Sequence, residues 1–543
     1  MSNAPVAHSW VSPREHAITP AEHEAISRLV ARDIEIGTAA AAKYGRGTIA
    51  KRSIPIRVLR RMVFEVKQLV GPLAKRVLRA SSRRWYRYVV DRSRITNGST
   101  LSGNSAVVEV HSLSEGSNVL NALLRNTTAT HWVLTREPGQ LLRSATAVLL
   151  SAVSDSSGQL WFGDSRGPSG VRERRPAFSR LLLRQVDALG PVIVVRTDLL
   201  RASIDVHDLP ADLWPLALAL RVPADHIQLV PEVLGVGAVT NPVSQAASGR
   251  AVELVEAELA MSGLNAQVSS SGDGKRIVHY AVADTPLVSI VIPTRGSSHN
   301  GQPLVLGAVE SILERSSYSN IELVIVADEP TPQHVVDAIE GLAGDKVVWV
   351  RWSAPFNFSS KMNLGAVCAA GEYLLFLNDD VEVVSPDWIE RMLSLIGVDA
   401  IGYTGALLFF EDATIQHAGH FYAGGAGHIG FEQSLRLGDP AQTLALDRPV
   451  SGLTAACSLI ATSNFAALGG FSEVFPGNYN DVDLCMKVRE AGMLSAVVGG
   501  SRLYHFESKT RDATVSRSEL LALHERWYGA IQTDPWHREF EGL

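Results

Sequence analysis

Three apolar runs constrain this chain more than any other feature: VSIVIP at 288–293, ELVIVAD at 322–328 and YLLFLND at 373–379. A strand with one wet face alternates apolar and polar residues. An unbroken Val/Ile/Leu run needs both faces covered, as in a parallel sheet sandwiched between helices. Each run ends in polar residues, and helical patterns separate them. Open sheets of this kind bind ligands beyond the carboxyl ends of their strands.

A second α/β pattern precedes the first. AVVEVHS and HWVLT predict strands, NVLNALLRN and LLRSATAVLLSAV predict helices, and LWFGDS, GPVIVVRTDLL and HIQLVPEVLG continue the series. The two halves echo each other: HWVLTREPGQLLRSATAVLLSAV parallels YLLFLNDDVEVVSPDWIERMLSLI, each an apolar strand, a polar tetrad and an apolar helix. The upstream copy has Arg136-Glu137-Pro138-Gly139 where the downstream copy has Asn378-Asp379-Asp380. Boundaries follow from these patterns and from a Ser/Gly/Ala-rich connection. They divide the chain into a helical, basic region (1–96), an α/β domain (97–240), a linker helix and strand (241–285), a second α/β domain (286–512) and a helical tail (513–543).

Charge is distributed unevenly. The total is −6, yet between Lys43 and Arg94 sixteen Lys or Arg face only Glu65 and Asp91. Apolar residues at Val58, Met62, Val66, Leu69 and Val70 recur there at helical spacing. The segment therefore predicts basic amphipathic helices, which either pack with a solvated face or meet anionic headgroups. Nucleic acid is a poor fit, because the rest of the chain is acidic and no aromatic platform is evident. Ahead of this segment, Thr19, Pro20 and Glu22 predict a capped helix start. The N-terminus has no signal-peptide pattern, no apolar run spans a membrane, and Cys368, Cys457 and Cys485 form no disulfide framework. These features predict a cytoplasmic protein with inert buried thiols, peripheral at the inner face of the plasma membrane if it meets a membrane at all.

Candidate chemistry sits at the strand ends. Adjacent carboxylates at Asp379 and Asp380 repel unless a cation neutralises them, and their hard oxygens suit Mg2+ or Mn2+. The bland alternative is a turn or helix cap. Asn480-Asp481-Val482-Asp483 opens a helix, where Asp serves either as a cap or as a general base. His505 follows a short apolar strand. The segment QHAGHFYAGGAGHIG, with His417, His420 and His428, reads as a glycine-rich loop rather than a metal site. Its Gly425-x-Gly427-x-x-Gly430 lacks the strand and helix of a dinucleotide site.

Taken together, these motifs resemble a family 2 glycosyltransferase with a GT-A fold over about residues 286–512. VSIVIPTR resembles the first nucleotide-binding strand and FNFSSKMNLGAVCAAGEYLLFLNDDVEV the approach to the DxD motif. NYNDVDLCMKVREAG resembles the ED motif, and YHFES the strand that supplies a metal-binding histidine. The resemblance implies that Pro293, Thr294, Arg295 and Asp328 line the nucleoside pocket, with Asp379 near ribose and diphosphate. It further implies that Asp380 and His505 bind Mn2+ or Mg2+ and that Asp481 is the catalytic base of an inverting transfer. Asn378 and Asn480 stand where many relatives carry Asp and Glu. Within the family, the QHAGHFYAGGAGHIG segment and the RW…DPW tail look most like rhamnosyltransferases of polysaccharide assembly. In those relatives a weaker GT-A-like half lies upstream, and residues 105–235 resemble it. The implied partners are a nucleotide-diphosphate sugar, with dTDP-rhamnose leading and UDP-linked galactofuranose, galactose or glucose open, and a glycan or polyprenyl-linked glycan acceptor. Two other classes remain in view: a silent sugar-nucleotide-binding domain, which need not keep these acids, and a nucleotidyltransferase, for which PTRGSSHNGQP is too weakly basic.

Overall fold

The computed structural model describes residues 10–45, 99–102, 106–136, 140–154, 157–167, 170–203, 208–237, 245–271, 274–282, 284–435, 443–506 and 515–538. Nearly all of the basic segment lies outside them. The chain divides into two compact units, residues 47–278 and residues 1–46 with 279–543.

In the first unit, five strands build the centre of the sheet: β1 (Val107–Ser112), β2 (His131–Thr135), β3 (Leu160–Arg166), β4 (Val192–Arg196) and β5 (Ile227–Val236). Their spatial order is β1-β2-β4-β3-β5, with β1–β2 and β3–β5 parallel and the other two pairs antiparallel. All five residues of β2 are buried, the apolar Trp132, Val133 and Leu134 together with His131 and Thr135 at its ends.

The second unit repeats this plan. Its principal strands are β6 (Val288–Thr294), β7 (Ile321–Asp328), β8 (Val347–Trp352), β9 (Tyr373–Leu377), β10 (Val381–Val383), β11 (Ile401–Phe409), β12 (Cys457–Ala461) and β13 (Leu494–His505). The order β6-β9-β12-β11-β13 carries the same alternation of parallel and antiparallel pairs as β1-β2-β4-β3-β5. The sequence echo between the halves is therefore a repeat of topology, strand for strand. Two parallel strands, β7 and β8, extend the β6 side, and β10 pairs antiparallel with β13. The expected parallel sheet spans β8-β7-β6-β9, and beyond β9 the sheet is mixed.

The three apolar runs are buried on both faces: Ile290, Val291, Ile292, Val324, Ile325, Leu375 and Phe376 are all 0% exposed. Helices Leu304–Arg315, Gln333–Ala343 and Phe358–Cys368 connect the parallel strands. Helix Phe358–Cys368 lies against β6 and β7 at Gly365, where a Cβ would come within 2.8 Å of Val326 Cγ2 and collide with Val291.

The first helix starts where the sequence places it. Thr19 caps Pro20–Tyr44, and the Thr19–Glu22 capping box is complete. Its buried stripe, Leu29, Asp33, Gly37 and Ala40, packs into the second unit against helices Phe358–Cys368 and Arg517–Trp527. The sequence boundaries set residues 1–96 apart as one region. The structure joins this helix to the C-terminal fold, because its stripe is completed by residues there. The segment before it covers the sheet edge: Glu15 bridges to Trp349 of β8, and Trp10 stacks under the Arg351 guanidinium. All three cysteines are free, and Cys457 and Cys485 are buried. Cys368, expected to be buried like the other two, is half-buried, and desolvation pushes its thiol up to about 12.

Candidate functional site

The carboxyl ends of β6, β7 and β9 and the first turn of helix Asn480–Glu490 surround one cavity of about 570 Å³. All eight residues singled out in the sequence line it. Loop and strand ends bring them together from five separate segments.

Asp328 closes β7, and Lys361 Nζ lies 2.7 Å from its Oδ1. The same ammonium donates to the Thr294 carbonyl at 3.2 Å. Burial holds the Lys361 pKa below its usual range against the pull of Asp328. Sequence reasoning missed this lysine. The signal was its place one turn into FSSKMN, on the helix face toward β6 and β7.

Asp379 accepts from Thr294 Oγ1 at 2.6 Å. Its desolvated surroundings, with Asp380 next to it and despite that hydrogen bond, push its carboxyl up to about 6. Asp380 goes the other way. Burial would raise it, but His505 beside it holds it below the usual carboxylate range. The contact follows from strand register: β10 pairs with β13 so that Val381 faces His505, and the Phe506 amide donates to the Asp380 carbonyl at 2.9 Å. His505 Nε2 then sits 3.2 Å from Asp380 Oδ1 and 3.1 Å from the Asn378 amide.

This donor set suits a hard divalent cation. One carboxylate oxygen and one imidazole nitrogen already converge, and the adjacent Asp379 carries charge that its surroundings do not fully neutralise. Asn378 adds an amide where a third carboxylate would otherwise stand.

The two acids of the helix start are separated by the structure. Tyr479, in a left-handed conformation (φ 63°), turns the chain into the helix. Asp481 lines the cavity, and its Oδ1 accepts the Val482 amide at 2.8 Å. Asp483 is fully buried and accepts from Trp527 Nε1 at 2.8 Å and Arg526 Nη1 at 3.1 Å, outside the cavity.

The glycine-rich segment is a built element rather than an open loop. His417 ends a short strand, and the hairpin His420–Tyr422/Ala426–His428 pairs His420 with His428. The three rings lie with centroids 4.9 Å apart in every pair. Burial pushes the His420 pKa down to about 4 and that of His417 well below its usual value, the latter helped by the neighbouring histidines and Arg448. His420 and His428 border the same cavity. Spacing in the sequence could not show this convergence, which depends on hairpin register.

In the first unit, Arg136 occupies the strand end that Asn378 occupies in the second, and it pairs with Asp187. Among the described residues there, no acidic pair follows β2.

Residues 289–465 match the family described as "Glycosyl transferase family 2". The chain is 28% identical over 385 residues to the O-antigen biosynthesis protein RfbC of Myxococcus xanthus, covering 69% of this chain and 30% of that protein. It is 37% identical over 238 residues to the uncharacterized protein y4gI of Sinorhizobium fredii, covering 43% of this chain and 26% of that one. The chain thus spans less than a third of the length of either relative. Among solved structures, it is similar to that of GalNAc-T7 with UDP, GalNAc and Mn2+, with a TM-score of 0.35, 17% identity and coverage of 44% of this chain and 47% of that one. The chain carries a family 2 glycosyltransferase domain.

Proposed function

We propose that the chain is an inverting, metal-dependent glycosyltransferase that moves a sugar from a nucleotide-diphosphate donor to a glycan or lipid-linked glycan. The observation that carries this reading is the meeting of Asp328, Asp379, Asp380, His505 and Asp481 on one cavity at the sheet's carboxyl edge.

In this reading Pro293, Thr294, Arg295 and Asp328 line the nucleoside pocket, with Asp328 held in place by Lys361. Asp379, positioned by Thr294 Oγ1, faces the ribose and diphosphate. Asp380 and His505 hold Mn2+ or Mg2+. When bound, such a cation offsets the charge of the departing diphosphate. Asp481 takes the proton of the acceptor hydroxyl as that oxygen attacks the anomeric carbon from the face opposite the leaving group. Proton abstraction of this kind contributes about 10²–10⁴ in rate, and orientation in the cavity contributes the larger share.

The donor we favour is dTDP-rhamnose, from the resemblance of the QHAGHFYAGGAGHIG segment, and the setting we favour is cell-surface polysaccharide synthesis, a reading supported by the Myxococcus relative's name as an O-antigen biosynthesis protein. The basic segment supports a peripheral position at the inner face of the plasma membrane, where a polyprenyl-linked acceptor would be presented. Among the described residues, no helix is long and apolar enough to cross a membrane. The first unit, with Arg136-Glu137-Pro138 where the second has Asn378-Asp379-Asp380, would serve as scaffold or as acceptor platform.

The test is a panel of UDP-, dTDP- and GDP-sugars with purified protein and manganese, reading released nucleotide diphosphate with lipid-linked acceptor present. Release from one donor, abolished by chelator and by Asp481→Asn, is expected. Binding without release from any donor would mean a silent binding domain, and full turnover by Asp481→Asn would remove the assigned base.

A further inference from the structure

We infer that His417, His420 and His428 form a second metal site, selective for a zinc-type cation, on the wall of the same cavity. One nitrogen from each ring lies within 4.8 Å of one from each of the others. His417 Nδ1 and His428 Nδ1 are hydrogen-bonded to each other at 2.8 Å. His420 Nδ1 is buried with no hydrogen-bond partner. His420 Nδ1 is thus a buried polar atom left over beside the hydrogen-bonded His417–His428 pair, and a bound cation would satisfy it.

The local chain geometry is committed to this convergence. Gly419 (φ 101°) makes the bend between His417 and His420, where a Cβ would lie 2.6 Å from Val450 Cγ1. Cross-strand pairing then sets His428 opposite His420. The backbone amide of Thr454 donates to His417 Nε2 at 3.2 Å, which leaves that ring's proton on Nδ1, facing His428, so a cation held at His417 takes the place of one of these two hydrogen bonds.

The ligand chemistry selects the ion. Three neutral imidazoles suit zinc, cobalt or nickel, whereas Mg2+ and Mn2+ prefer the oxygen-bearing pair Asp380–His505. Drawing the nitrogens to a common Zn–N distance of ~2.0–2.1 Å takes a shift of roughly 1 Å or less per ring. Three protein ligands leave a fourth position, and His420 and His428 border the cavity, so that position is open to water or to a substrate oxygen. Burial disfavours the charged forms of His417 and His420, and the bound ion would bring positive charge to a wall of the cavity that Asp481 and Asp380 also line.

Zinc content needs no donor sugar, so this site can fail while the transferase reading stands, and the reverse. Full-length protein is stripped with chelator, exchanged against Zn2+ or Mn2+, desalted and assayed by elemental analysis, with Co2+ absorption as a probe of ligand geometry. The expected result is one zinc per chain, retained in Asp380→Ala/His505→Ala, and a tetrahedral cobalt spectrum. Affinity should weaken by more than ~tenfold in His420→Ala and in His428→Gln. Wild-type protein that takes up no zinc and gives no cobalt band overturns the inference. So does zinc that follows Asp380 and His505 instead of the three histidines. If His420→Ala does not fold, the wild-type cobalt spectrum and the milder His428→Gln decide the matter.

Discussion

Lys487 Nζ lies 2.6 Å from Asp33 Oδ1, joining the first helix of the chain to the helix that opens with Asp481. Lys487 also reaches Asp483 Oδ2 at 3.0 Å, and Arg526 Nη1 bridges Asp33 and Asp483 at 2.9 and 3.1 Å. Two acids and two bases thus close a buried square behind the cavity wall.

Removing one corner leaves an uncompensated buried charge. Asp33→Asn should cost about 3–5 kcal/mol at neutral pH, read as a lower urea midpoint with unchanged slope. The cost depends on pH. Burial alone would raise the Asp33 pKa, but Arg526 and Lys487 overcome it and hold the carboxyl at about 2, below its ordinary 3.8. A depressed acid contributes stability that is complete above its unfolded value and is lost as pH falls through the folded one. That contribution is on the order of 2 kcal/mol. The gap between wild type and Asp33→Asn should therefore be full at pH 6 and shrink between pH 4 and pH 2. A gap independent of pH would mean that the ion pair is not its source.

The first helix should be required by a fold that begins more than two hundred residues later. Leu29 and Ala40 are 6% and 5% exposed, against partners that lie in the second unit. A fragment of residues 279–543 should melt well below the full chain, and adding a peptide of residues 10–45 should restore it in a concentration-dependent way. An equally stable fragment would show that the helix is an accessory.

Much of this was legible in the sequence, and the limits have physical causes. The runs VSIVIP, ELVIVAD and YLLFLND announce β6, β7 and β9 because complete burial leaves no polar residue to break the pattern. The carboxylates at their ends, with Asp481 and His505, do share a cavity. The capped start at Thr19 was legible too, because capping is local. The docking of that helix was not, since a buried stripe tells which face is covered and not what covers it. Lys361 escaped, and His417, His420 and His428 were set aside as a loop, for a related reason: their convergence depends on register between segments. The basic amphipathic segment lies outside the described residues.

Asp481 and Asp483, two residues apart, should behave as opposites. Asp481→Asn leaves the helix start intact and should lower turnover by about 10²–10⁴ with little change in melting temperature. Asp483→Asn breaks the buried contacts to Lys487, Arg526 and Trp527 and should lower stability by about 3–5 kcal/mol. Turnover per folded molecule should fall much less in that variant. Kinetics and denaturation of the two side by side separate the roles, and matched losses in both would mean that the helix acts as one unit.

Gly365 links packing to donor binding. It sits one turn after Lys361, on the face of helix Phe358–Cys368 that touches β6 and β7. A methyl there meets Val291 of β6 and Val326 of β7 with no room to yield, because both valines are fully buried. Gly365→Ala should cost about 1–3 kcal/mol by overpacking. Pushing the helix outward also draws Lys361 away from Asp328 and from the Thr294 carbonyl, whose strands end in the nucleoside pocket. Donor KM should rise several-fold, while the chemistry at Asp481, on another element, keeps its rate. Val291→Ala in the same chain vacates the space that the new methyl needs. The double variant should recover donor affinity and part of the stability, a coupling that a double-mutant cycle measures directly. If the two changes simply add, the close approach of helix and strands is not what holds Lys361 in place.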